Sequence, residues 1–303
     1  MEGVAQRTKE RRNTDTLTGT RRPVFTGCAK IARGLRVING VMLRRGKMVA
    51  RGWLWWPVHP DSESHMMKTE SLFLRETGLA DEVGADVPRQ TRVEAVNLQG
   101  PSLPGDLSVP PQAKGLVMFA HGSGSSRHSA RNRWVADALQ QRGLATLLFD
   151  LLTVHEAEDR RRVFDIPLLG RRVVEALRWV EQRPDLSGLR LGLFGASTGA
   201  AAALLAAADM PQHVAAVVSR GGRPDLIMDR LPQVQAPTLL IVGGLDPEVL
   251  ELNRLAFRRL SVSKRLEVVP GATHLFAEPG ALDSVAALAG SWFEQCFAQP
   301  QRA

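Results

Sequence analysis

Residues 191–202 read L-G-L-F-G-A-S-T-G-A-A-A. One serine, Ser197, stands between two glycines, with an apolar run before it and alanines after it. A hydroxyl in that setting becomes a nucleophile when a base takes its proton and a third group orients the base. Downstream, I-V-G-G-L-D-P-E offers Asp246 and V-V-P-G-A-T-H-L-F offers His274. Upstream, H-G-S-G-S-S at 121–126 is a loop whose glycines let the backbone approach an oxygen closely. Nucleophile, base, acid and amide donors are the parts of acyl transfer.

Their positions along the chain carry as much meaning as their types. L-R-L-G-L-F (189–194) is a buried strand, and the helix starting at 198 is apolar all round and so buried too. A turn this tight between the two strains its central residue and needs small neighbours, here Gly195, Ala196, Gly199 and Ala200. Ser197 is thereby held out at the carboxyl end of the strand, the arrangement of a G-x-S-x-G elbow. In that topology the acid and then the histidine follow the serine. Asp246 and His274 come in that order, each just beyond a buried strand. Asp225, in S-R-G-G-R-P-D, is a weaker rival because it follows the preceding strand. The structural alternative for Asp246 is a helix N-cap before Pro247, and for His274 a loop histidine. His213 opens a strand and lies at the wrong end of the sheet.

The oxyanion donors expected from this topology are the amide of Thr198, next after the nucleophile, and Ser123 N–H from the 121–126 loop. Alone, that loop could hold a phosphate, but no G-K-[ST] follows it. His121 is read as structural or pocket-lining. Arg220 and Arg223 flank two glycines after a strand whose carboxyl end faces the site, which points to anionic acyl substrates; surface arginines are the alternative.

These residues need a scaffold, and the patterning supplies one. Apolar strands are expected over 91–98, 115–120, 144–150, 189–194, 213–219, 237–243 and 265–269. Helices are expected over 129–142, 166–183, from 198, over 247–260 and over 280–296. Alternation of this kind means an α/β domain, a mostly parallel sheet with helices on both faces, over residues 87–299. The segment 151–165, with H-E-A-E-D-R-R-R, is either a minimal lid or a solvated loop.

Composition sets the outer limits. With 44% hydrophobic and 23% charged residues in 303, the chain is ordinary for a globular protein. No apolar run reaches the roughly 18 residues of a membrane helix, and no secretory apolar core opens the sequence, so a cytoplasmic location is expected. Cys28 and Cys296, far apart, indicate neither a disulfide framework nor a metal site. The chemistry outlined above needs no metal or cofactor, only a small-molecule acyl substrate.

The net charge of +8 is unevenly spread: residues 1–60 hold 13 Lys/Arg against 3 acids, a net of +10, so the remainder is at −2. Residues 1–86 show no sustained period and are expected to be a disordered extension or a leader, with Met66 or Met67 as internal starts. The competing readings are a transit peptide, or an arm for nucleic acid or a membrane surface in which Trp53, Trp55 or Trp56 stacks.

F-A-H-G-S-G, G-A-S-T-G, G-G-L-D and G-A-T-H together resemble an α/β-hydrolase of the dienelactone hydrolase-like group. F-D-I-P-L-L (164–169) and S-R-G-G-R-P-D-L (219–226) are similar to hydrolase domains fused to phosphoribosyltransferases. The likeness covers roughly residues 90–297 and implies a serine hydrolase with Ser197, Asp246 and His274 as triad, acting on a small ester, lactone or related acyl compound. One departure matters: true dienelactone hydrolases use cysteine where Ser197 stands, so their substrate does not carry over. A phosphoribosyltransferase half is not visible. Two other classes stay open, a non-catalytic binding or regulatory domain and a nucleic-acid binder using the basic arm; a salt-dependent shift on DNA or RNA would reveal the latter.

A chain shortened to begin near Asp86 is expected to stay soluble, melt cooperatively and keep the ester turnover of the full chain. A broadened melt or lost turnover on truncation would show that the preceding residues pack on the domain.

Overall fold

The computed structural model describes residues 90–98 and 100–299; the extension expected over 1–86, with Cys28, lies outside them. The chain enters through two strands, β1 (Arg92–Leu98) and β2 (Leu103–Val109), then β3 (Leu116–Ala120). There follow helix α1 (Ala130–Gln141), β4 (Ala145–Phe149), the short helices α2 (Val154–Glu158) and α3 (Arg160–Val163), and α4 (Ile166–Glu181). Strand β5 (Leu191–Ala196) leads into α5 (Thr198–Asp209), then β6 (Val214–Arg220), β7 (Thr238–Gly243), α6 (Pro247–Arg259), β8 (Lys264–Val269) and α7 (Ala281–Ala298).

The eight strands form one sheet in the order β1-β2-β4-β3-β5-β6-β7-β8. β2 is antiparallel to β1 and β4, and every pair from β4 to β8 is parallel. This is the α/β-hydrolase architecture, a mostly parallel sheet between two helical layers. Strands β3, β4, β5 and β7 are buried along their whole length, which is why they read as continuous apolar runs rather than alternating ones. One face packs Met118, Leu147 and Leu193 under α4 and α5; the other packs Phe119, Phe194 and Ile241 under α1 and α7. Among the described residues no helix is long and apolar enough to cross a membrane.

Two elements differ from the sequence expectation. Strand β2 was not foreseen, because L-P-G-D-L-S-V carries two residues that weaken strands. It is held by neighbours rather than by propensity: it pairs on both sides, and Pro104 serves through its carbonyl, which accepts from Asp150 N–H at 3.0 Å. The charged segment 151–165 is solvated as expected but not a loop: it forms two short helices with no buried residue. Thr153 and Glu156 form a reciprocal capping box that starts α2, and Glu156 also accepts from Arg162 at 3.1 Å and Arg172 at 3.0 Å. Glu156, Asp159, Arg161 and Arg162 are spent on one another.

Glu156→Gln is therefore expected to loosen α2 and α3 selectively. A lost charge-assisted hydrogen bond is worth about 1.5–3 kcal/mol, so amide exchange over 154–163 should speed up roughly ten- to a hundredfold while the sheet keeps its protection. Unchanged exchange there would mean that apolar packing, not Glu156, holds the segment.

Candidate active site

Strand β5 ends at Ala196, and α5 starts at Thr198, leaving a single residue for the turn. Ser197 takes φ 53° and ψ −121°, a region that a side chain occupies only when its surroundings impose it. The glycines make the turn possible. A Cβ at position 195 would lie 2.4 Å from Ala200 Cα, and one at 199 would lie 2.2 Å from the Ala120 carbonyl oxygen. Backbone bonds from the end of β6 and the loop after it fix the strained residue: Ser197 N–H donates to Arg220 O at 3.2 Å, and Arg223 N–H donates to Ser197 O at 3.1 Å.

The three strand ends bring the expected triad residues together. His274 Nδ1 lies 2.7 Å from Asp246 Oδ2, and His274 Nε2 lies 3.4 Å from Ser197 Oγ. With Nδ1–H donating to the carboxylate, Nε2 is left as the acceptor that faces the serine hydroxyl. Asp246 does stand at the N-cap of α6 before Pro247, yet its side chain makes no capping bond and goes to His274 instead. The rival Asp225 is held by Arg223, with two contacts of 2.9 Å. His213 is bonded to Glu181 at the opposite end of the sheet.

The loop after β3 comes against the first turn of α5. Thr198 N–H heads that helix, where an amide has no intrahelical acceptor and is open to a ligand oxygen. The Ser123 amide is different: it donates to Thr198 Oγ1 at 2.9 Å. The two expected donors are thus neighbours, but one of them is already engaged by the side chain of the other, a contact that sequence reasoning did not foresee. His121 anchors the loop from below. Its Nδ1–H donates to Gly122 O at 3.0 Å, and its Nε2 accepts from Leu151 N–H at 3.1 Å. Burial pushes this imidazole below the ordinary histidine range, so it stays neutral.

A cavity of about 240 Å³ holds Ser197 and His274, with Ser129, Arg131, Asn132 and Arg220 among its lining residues. A larger chamber of about 1130 Å³ shares Gly122, Ser123, Ser125 and Ser129 with it and reaches Leu152, Val154 and Val163 at the helical segment. Of the two arginines expected near the site, only Arg220 lines the cavity. Arg223 contributes its backbone to the turn and its guanidinium to Asp225. Arg131 went unnoticed in R-N-R-W because a charged residue beside the apolar spacing of Trp134 fits an exposed helix face; only the fold brings it to the cavity that Arg220 lines. Among the described residues, no group of His, Cys, Asp and Glu is arranged to hold a metal ion.

The profile of the dienelactone hydrolase family matches residues 106–297, which span the sheet from β2 to β8 and every residue of the site. The chain belongs to the dienelactone hydrolase family. A solved structure described as a dienelactone hydrolase from Anabaena variabilis is 55% identical, with a TM-score of 0.66, covering 68% of this chain and 98% of that one. Est1E from Butyrivibrio proteoclasticus shares the fold at 16% identity, with a TM-score of 0.59 over 68% of this chain and 99% of its own. Two Mycobacterium tuberculosis proteins, provisionally named phosphoribosyl transferases, are 56% identical over 220 residues. That match takes in 72% of this chain and 49% of theirs, so the chain spans about half the length of these curated relatives.

The neutral, buried His121 makes the fold of this family member sensitive to acid. In the unfolded chain its imidazole takes up a proton near pH 6.5, while the folded state resists until lower pH. Its contribution is complete above about pH 6.5 and is lost as pH falls through the lower folded value. Urea midpoints at pH 7.5 and 5.5 are expected to drop further for the wild type than for His121→Gln, which keeps one donor and one acceptor. Equal drops would show that His121 is not linked to stability.

Proposed function

We propose that the chain is a serine hydrolase that cleaves a small ester, lactone or related acyl compound through an acyl-enzyme. The observation that carries this reading is the hydrogen-bonded line from Asp246 Oδ2 through His274 to Ser197 Oγ, ending on a residue held in strained backbone. His274 Nε2 takes the hydroxyl proton as Ser197 Oγ attacks the substrate carbonyl, and Asp246 stabilises the imidazolium that forms. The oxyanion falls to Thr198 N–H, joined by Ser123 N–H when the arriving oxygen competes with Thr198 Oγ1. His274 returns the proton to the leaving group, and water then repeats the sequence on the acyl-enzyme. The Ser197 Oγ contact of 3.4 Å is long for a resting hydrogen bond and shortens when a substrate fills the site.

Family membership supports hydrolysis as the reaction class. The serine at position 197 departs from the cysteine of true dienelactone hydrolases, so we leave the dienelactone substrate out of the proposal. The Mycobacterium tuberculosis relatives are named for phosphoribosyl transfer, but this chain covers about half of them; we assign hydrolysis to the candidate site of the matched part. We place the protein in the cytoplasm.

A fluorophosphonate is expected to label Ser197, as mapped by mass spectrometry, and the full chain should turn over p-nitrophenyl acetate. Ser197→Ala should abolish labelling, and His274→Ala should nearly do so. Each should cost about 10⁴–10⁶ in turnover, with little further loss in the double variant, because triad members act as a unit. Asp246→Asn should cost less than either and more than Asp225→Asn. A folded protein that takes no probe and turns over no ester would overturn the hydrolase reading in favour of a binding domain.

A further inference from the structure

Other arginines of the domain have carboxylates: Arg127, which lines the larger chamber, pairs with Asp150, Arg172 with Glu156, and Arg223 with Asp225. Arg220 and Arg131 do not. Among the described residues neither has a carboxylate oxygen within 4.0 Å, and the Nε of each is buried without a hydrogen-bond partner. Arg220 is 6% exposed, and its polar contact is a long one, 3.4 Å from Nη2 to Asn132 Oδ1. Its guanidinium carbon lies 5.7 Å from the centre of the Phe276 ring, which supports the cation from the apolar side. Burial, together with the neighbouring charge of Arg131, lowers the Arg220 guanidinium to about 10, still cationic at neutral pH.

A buried charge without a partner is costly, and an apolar residue of similar volume would pack more cheaply. One such buried charge, Arg220, and the half-buried Arg131 both line the 240 Å³ cavity that holds Ser197 and His274. A guanidinium presents a planar fork of donors suited to paired oxygens of an anion. The first turn of α1 lies on the same wall: Ser129, Arg131 and Asn132 line the cavity, and the Asn132 amide is capped by Ser129 Oγ at 3.3 Å.

We infer that Arg220 and Arg131 form an anion subsite beside Ser197 and that the anion they receive is a phosphate group carried by the substrate. The charge decides between anions. Two uncompensated cations match a phosphate monoester, which carries about −1.5 to −2 near pH 7 with three acceptor oxygens, better than a single carboxylate. The acyl compound cleaved here therefore bears its phosphate within reach of the scissile carbonyl, and the bulk of the substrate occupies the neighbouring 1130 Å³ chamber. This rests on Ser197 as nucleophile for its link to hydrolysis, but not for the binding itself.

The test separates the two. Calorimetric titration of full-length Ser197→Ala protein with inorganic phosphate, at fixed ionic strength, should show saturable binding. Adding Arg220→Met or Arg131→Met should weaken it at least tenfold; the half-buried Arg131 carries the test if Arg220→Met fails to fold. With wild-type protein, p-nitrophenyl esters of 3-phosphonopropionate, succinate and butyrate should rank in that order in kcat/KM, and Arg131→Met should shrink the phosphonate preference at least tenfold. Absent phosphate binding, or binding unchanged in both variants, would overturn the subsite. Acetate binding as tightly as phosphate, or succinate matching the phosphonate ester, would overturn the assignment to a dianion. Phosphate binding with every ester inert would leave the subsite standing and remove the hydrolase reading.

Discussion

The backbone at Ser197 has to turn from a fully buried strand into a fully buried helix within one residue, and the rest of the site is arranged around that constraint. Without Gly195 and Gly199 the turn collides with Ala200 and with the Ala120 carbonyl. Its φ of 53° is unfavourable for serine and persists because two backbone bonds from residues 220 and 223 hold both of its peptide groups. The geometry that exposes the hydroxyl also leaves the Thr198 amide open at the head of α5 and sets β6 close alongside, with Arg220 opposite Ala196 in register. Exposed serine hydroxyl, open amide and buried arginine are thus three consequences of one local fold.

The outer groups depend on the same sheet but on separate strands. Asp246 follows β7 and His274 follows β8, so their meeting is a property of parallel register rather than of any local motif. Asp246 has the helix-capping position available and does not use it. That choice separates a carboxylate serving an imidazole from one serving a helix, and the sequence around L-D-P cannot display it.

What was legible in the sequence follows from which interactions are local. The parallel strands announce themselves as apolar runs, and the elbow as small residues at fixed spacing, because both are enforced within a few positions. β2 escaped notice because it depends on partners on either side while containing Pro104 and Gly105. The capping box at Thr153 and Glu156 was there to be read, but the charges around it looked like solvation. Arg220 and Arg223 look alike in S-R-G-G-R-P-D; only Arg223 has an aspartate two residues on with which its fork can close. The Ser123–Thr198 contact joins residues 75 positions apart and leaves no trace in either motif.

The charges of the site form a divided pattern. Asp246 is bonded to His274, and no acid lines the 240 Å³ cavity to answer Arg220 and Arg131. An acid placed there would silence the arginines and, lying near His274, would compete with Asp246 for the imidazole. Keeping the two cations unpaired leaves His274 with one unambiguous orienting partner. It also raises the positive potential around Ser197, which would favour an oxyanion in the proposed attack on a carbonyl. In the proposed reaction the same unpaired guanidiniums would serve both binding of an anionic group and stabilisation of developing negative charge, while Phe276 beneath Arg220 makes that charge tolerable in a buried wall.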